Sequence, residues 1–144
     1  MPARSLTLDP GRSSLAVRTR ATGMLARLAH DLEVRAARLA GHAERDDDGA
    51  FRGELEIDVA GLEVAGVVRH GAVDAGVLSA SDRAEITDRM RKDAFRGASS
   101  VRVTARGTSP GRAELTIAID GREARANAPL STQESDGAVS VRGE

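Results

Sequence analysis

A mainly β, antiparallel fold is what this sequence predicts, and three observations predict it. Apolar residues recur with period two along most of the chain, two-residue Asp-Gly turn signals separate the later runs, and helical spacing is confined to two short stretches. Strands joined by polar turns and even in number are best protected by closure, which removes the open edges that invite aggregation. The expectation is therefore an antiparallel β-barrel of about eight strands with one or two short helices. With 144 residues, the chain is read as a single domain, 1–144. A chain of that size buries about 68–70% of its unfolded surface, so it folds without staples.

The elements follow in order. Leu6 and Leu8 open the alternation, and Leu15, Val17 and Thr19 continue it. Thr22 to Leu32 places Leu25, Leu28 and Leu32 on one stripe, which predicts a short helix or helical turn. Leu32, Val34 and Ala36 carry a weaker strand pattern, and Asp46-Asp47-Asp48-Gly49 makes a polar turn before Phe51. Leu55, Ile57 and Val59 alternate with Glu54, Glu56 and Asp58, a half-buried strand. The stretch from Val59 to Leu78 is rich in Gly, Ala and Val, and reads as a strand broken by glycines. Ser79 to Asp82 offers capping side chains, Ile86, Met90 and Ala94 recur every four residues, and Gly97 ends that helix. Val101, Val103 and Ala105 alternate with Arg102, Thr104 and Arg106, and Ala113, Leu115, Ile117 and Ile119 with Glu114, Thr116 and Ala118. Asp120-Gly121 then turns the chain into Ala124, Ala126, Ala128 and Leu130, and Asp136-Gly137 turns it into Val139 and Val141.

Composition excludes several functions. There is no cysteine, hence no disulfide framework, thiolate nucleophile or cysteine zinc knuckle. A net charge of −1 argues against a nucleic-acid partner, whose affinity rests on phosphate neutralisation. Every basic residue but Lys92 is arginine, which fits codon bias as well as it fits chemistry. Phe51 and Phe95 are the only aromatic residues, too few for a base-stacking platform or an aromatic cage. No apolar run is long enough for a signal-peptide core or a membrane span, so a cytoplasmic protein without stable membrane insertion is expected.

Several segments, in a fixed order, resemble the YceI-like family of lipid- and polyisoprenoid-binding proteins. Leu8-Asp9-Pro10-Gly11-Arg12-Ser13-Ser14-Leu15 is similar to the family's Asp-Pro-x-x-Ser entry into its first long strand. Gly23 to Asp31 resembles its Gly-leucine-rich-His-Asp segment, Leu78 to Ile86 with Met90-Arg91-Lys92-Asp93 its helix, and Leu115 to Gly121 its late hairpin. The resemblance implies a lipocalin-like eight-stranded barrel that holds one long apolar chain and has no catalytic group. Ala98 to Val103 departs from the family in lacking its proline and aromatic residues, and Ala29 replaces a usual glycine. The chain also stops at Glu144, short of the family's final strand, so barrel closure is expected to be incomplete.

Leu15, Val17, Leu55, Ile57, Val59, Val101, Val103, Leu115, Ile117 and Ile119 are the candidate lining of a ligand cavity. The same faces would equally pack against one another, because periodicity reports burial and not emptiness. Ala124, Ala126 and Ala128 favour a cavity, since three small inward groups leave room. His30 is placed at the cavity mouth, where it would hydrogen-bond a ligand head group. Adjacent His30 and Asp31 point in different directions and do not make a catalytic pair, and no Gly-x-Ser-x-Gly elbow accompanies them. His30, His42 and His70 lack metal-ligand spacing, and Asp46 to Asp48 lacks that of a calcium loop. Arg83, Arg89 and Arg91 are expected to pair along the helix with Asp82, Glu85, Asp88 and Asp93 rather than to face an anion. The sequence thus predicts a non-enzymatic transport or storage protein for a polyisoprenoid or other fatty chain, with no cofactor and no metal. The alternative is a structural or protein-interaction barrel with a filled or incomplete cavity, forming a homodimer through an open strand edge.

Overall fold

A computed structural model describes residues 4–20, 30–45, 50–109 and 111–144. The strands are β1 (Arg4–Thr7), β2 (Ala16–Arg18), β3 (Leu32–Ala36), β4 (Leu39–Arg45), β5 (Phe51–Asp58), β6 (Leu62–Arg69), β7 (Ala72–Asp74), β8 (Ser100–Ser109), β9 (Arg112–Ile119), β10 (Arg122–Ser135) and β11 (Ala138–Gly143). Among the described residues there is one α-helix, α1 (Ala80–Arg89), which lies between β7 and β8 and runs on into a π-turn over Met90–Ala94. The chain is mainly β and antiparallel with a short helix, as the alternation predicts. Eleven described strands replace the eight or so expected, because β4 has only Leu39 and small alanines to mark a period and β7 is three residues long. The predicted helix over Thr22 to Leu32 falls mostly outside the described residues, and its last residue opens β3. The predicted turn at Asp46 to Gly49 also lies outside them.

The strands form a seven-stranded sheet in the order β1-β4-β5-β8-β9-β10-β11 and a four-stranded sheet in the order β2-β3-β6-β7. Two compact units correspond closely to them, one made of residues 1–11, 40–56 and 101–144, the other of 12–39 and 57–100.

In the first unit the sheet curls. β1 and β10 are five strand spacings apart, roughly 24 Å in a flat sheet at about 4.8 Å each. Yet Arg4 of β1 lies 3.5 Å from the Glu134 carboxylate of β10, and also donates to the Gly137 carbonyl at the β10–β11 turn. Arg45 of β4 pairs with the same carboxylate. A side chain spans only a fraction of the flat distance, so the sheet bends nearly into a barrel, its ends joined by ion pairs instead of a backbone ladder. Turns of two residues with positive φ, Asp120-Gly121 and Asp136-Gly137, connect β9 to β10 and β10 to β11. Gly41 is required by close approach, since a Cβ there would sit 2.8 Å from the Glu54 carbonyl oxygen of β5. Gly41→Val is therefore expected to cost about 1–3 kcal/mol, read as a lower urea midpoint, with Ala43→Val on the same strand as the control.

The second unit holds most of the buried apolar side chains: Val34, Ile57, Val59, Leu62, Val64 and Val67, with Val67 only 2% exposed. They cluster on and around β6, the central strand with β3, against which α1 packs. Ser79 caps α1 by accepting from the Asp82 amide at 3.0 Å, and Asp82 accepts from the Ser79 amide at 3.3 Å. Gly97, at φ 77°, ends the helical segment and donates to the Arg91 carbonyl at 3.0 Å. Glu85 pairs with Arg89 one turn apart, as the charge pattern predicts; Asp88 pairs instead with Lys92, and Arg91 leaves the helix face and donates to the Ala60 carbonyl at 2.9 Å. No helix among the described residues is long and apolar enough to cross a membrane.

Candidate ligand-binding face

Directly paired residues of an antiparallel ladder share a face. On β8, β9 and β10 the register sets Val103 beside Ile117 and Ile117 beside Ala124. The next row is Ala105, Leu115 and Ala126, and the third is Gly107, Ala113 and Ala128. The rows are roughly 7 Å apart, two residues along a strand. Ile119 and Val101 extend the face beyond the first row. Phe51 of β5 adjoins the third row, its Cβ 3.6 Å from the position a Cβ would take at Gly107. From Phe51 the same face passes through Gly53 to Ala43 and Arg45 of β4, and through their partners Leu6 and Arg4 to β1. Even-numbered residues of β10 carry it the other way to Glu134. Because Arg4 and Glu134 lie on this face and meet, it is the inside of the curl.

Central residues of this inner face are apolar and incompletely covered. Val103, Ala105, Leu115, Ile117 and Ile119 are half-buried, and Ala124 and Ala126 are exposed. Only its margins close, at Val101, Ala113 and Ala128. The bulky residues sit on β9, while β10 and the glycines at 53 and 107 supply small groups, so the surface is recessed along β10 and beside Phe51. The opposite face is polar: Arg102 binds Glu54 at 2.9 Å, and Arg106 stands opposite Glu114.

The ten candidate lining residues are therefore divided. Leu55, Val101, Val103, Leu115, Ile117 and Ile119 belong to the first unit. Leu15, Val17, Ile57 and Val59 belong to the second, where Val17 of β2 pairs with Val34 and is 49% exposed, while Ile57 and Val59 are buried. His30 is exposed, just before β3. Two described grooves lie elsewhere. One of about 450 Å³ runs along Ser131, Thr132, Gln133, Ser140 and Arg142, and one of about 250 Å³ lies between α1 and β6 at Glu63, Val64, Ala80, Arg83, Ala84 and Thr87.

Sequence reasoning passed over Phe51, Gly53 and Gly107 as parts of the face. A glycine within an alternating strand was the available signal, since it marks close approach. It also passed over Glu33, a buried carboxylate in the second unit. The β3–β6 register shifts between Glu33 and Val34, with Ala65 of β6 the extra residue; Val34 faces the core, while Glu33 is buried on the opposite face beneath the side chains of Arg18 and Arg35. Arg18 binds one Glu33 oxygen at 3.1 Å and Arg35 the other at 2.8 Å. The Arg18 hydrogen bond, with help from Arg35, holds the Glu33 carboxyl below its usual range against the opposing effect of burial. Among the described residues no three His, Asp or Glu side chains are grouped to hold a metal. The chain matches no protein-family model and no curated protein.

Proposed function

We propose that the protein binds one long hydrophobic chain, a polyisoprenoid or other lipid, against the inner face of the seven-stranded sheet, and that it acts as a cytoplasmic carrier or reservoir and not as an enzyme. The observation that carries this reading is the half-covered patch of Val103, Leu115 and Ile117 beside exposed Ala124 and Ala126, on a sheet that curls around them. Apolar surface left in water on a concave face is a standing source of binding free energy. At ~0.8 kcal/mol per buried CH₂, about ten carbons supply ~8 kcal/mol before ordering costs, so affinity needs no specific polar contact. The likeness of several segments to the YceI-like family supports the same ligand class.

Organic extraction of natively purified protein, followed by mass spectrometry, tests the proposal. A stoichiometric long-chain species is the expected result. Ile117→Glu is expected to weaken uptake of a fluorescent fatty chain at least tenfold, roughly 1.4 kcal/mol, while Thr116→Glu on the outer face leaves it unchanged. Folded, empty protein that also takes up no chain would overturn the reading and leave an interaction module with an ordinary core.

A further inference from the structure

Resting on the proposed binding of a hydrophobic chain to the inner face, we infer that the chain carries a single carboxylate head, held by Arg4 and Arg45 at the rim of that face. Arg4 of β1 and Arg45 of β4 are direct partners in their ladder. The fold thus sets two like charges opposite each other, an arrangement that is disfavoured unless an anion lies between them. Glu134 of β10 supplies one. Arg4 reaches the Glu134 Oε1 at 3.5 Å, and Arg45 donates to the same oxygen. Arg4 also donates to the Gly137 carbonyl. Among the described residues the two guanidiniums therefore meet one carboxylate and one neutral oxygen, which leaves one positive charge unbalanced and N–H donors to spare.

That surplus sits where a bound chain would begin. Gly41 approaches Leu55 and Ala43 approaches Gly53, so the next pair along β4 and β5 is Arg45 with Phe51. One row further in, about 7 Å along the strands, lie half-buried Leu6 and Ala43, and the row beyond holds Leu55. The arginines are thus the polar boundary of an apolar surface. Their side chains are 43% and 40% exposed, so a ligand reaches them from solvent.

Charge and shape choose the head group. A guanidinium fork meets a carboxylate through two parallel, charge-assisted hydrogen bonds. A monoanion neutralises the surplus, whereas a phosphate monoester, at roughly −1.5 to −2 charges near pH 7, exceeds it and is repelled by Glu134. Arg122 also lies on the inner face, but it pairs with Ile119 at the far end and not with another cation.

Calorimetric titration of the protein with decanoate, decanol and decyl phosphate at neutral pH tests the assignment. Decanoate is expected to bind about tenfold tighter than decanol, by a ratio that falls as salt is added. Arg45→Gln should bring that ratio down to about twofold, while Arg106→Gln on the outer face leaves it in place. Glu134→Gln separates head-group binding from a purely structural role. Were the arginines there only to close the sheet, loss of their carboxylate partner would weaken decanoate as Arg45→Gln does. As holders of the head group they should instead bind decanoate several-fold more tightly once the competing carboxylate is gone. Circular dichroism confirms that each variant is folded. Equal binding of decanoate and decanol, tighter binding of decyl phosphate than of decanoate, or weaker decanoate binding by Glu134→Gln would each overturn the carboxylate head and leave the binding of an apolar chain standing. Uptake of none of the three would overturn both.

Discussion

Leu62→Ala is expected to lower the stability of the second unit by about 3 kcal/mol, within the 2–5 kcal/mol range of such truncations. Leu62 is 4% exposed and opens β6, flanked in the core by Val59 and Val64. Truncation removes three carbons, about 2.4 kcal/mol of transfer free energy, and leaves a cavity that a strand held on both edges fills poorly. Domains of ordinary stability hold only 5–15 kcal/mol in reserve, so the loss is a large fraction of the total. Urea unfolding followed by far-ultraviolet circular dichroism measures it. A loss under 1 kcal/mol would mean that the β6 core is not closely packed around this side chain.

Removing Arg18 and Arg35 together should cost about 1 kcal/mol at neutral pH, because it strips the Glu33 carboxylate of both its ion-pair partners. Both arginines are more than half exposed, which keeps the figure below that of a fully buried pair. The pH dependence supplies a sharper signature. In the native protein the Glu33 carboxyl is held low, mainly by Arg18, so its contribution is present above the ordinary carboxylate range and lost as pH falls through the lowered value. In the double alanine variant the guanidiniums that hold the group low are gone, so the loss of stability on acidification through the carboxylate range should be smaller than in the native protein. Parallel pH profiles for the two proteins would show that Glu33 does not depend on these guanidiniums.

The parts of the fold that could be read from sequence are those where local chemistry and tertiary role agree. Strands β8 to β10 alternate cleanly, and the Asp-Gly pairs take the positive φ that two-residue hairpins demand. Ser79 with Asp82 encodes a capping box that forms as written. Legibility fails on β6, where Val and Gly run together and a continuous apolar stretch has no preferred period. It fails again at Glu33, which alternation places on the polar face of β3 and the side chains of Arg18 and Arg35 then cover. Candidate ligand-face residues on β8 and β9 were legible because they alternate. Phe51, Gly53 and Gly107 were not, because their contribution depends on which strands become neighbours across a long sequence separation. Nor could alternation tell the two units apart, so Leu15, Val17, Ile57 and Val59 were assigned beside residues of another unit.

The chain passes between its two units four times, after residues 11, 39, 56 and 100, and both of its ends belong to the same unit. A single cut anywhere therefore divides that unit, and neither unit exists as an uninterrupted stretch of sequence. Fragment exchange, truncation and terminal fusion of one half are closed to this architecture; a gene that acquired only part of it would encode an incomplete sheet.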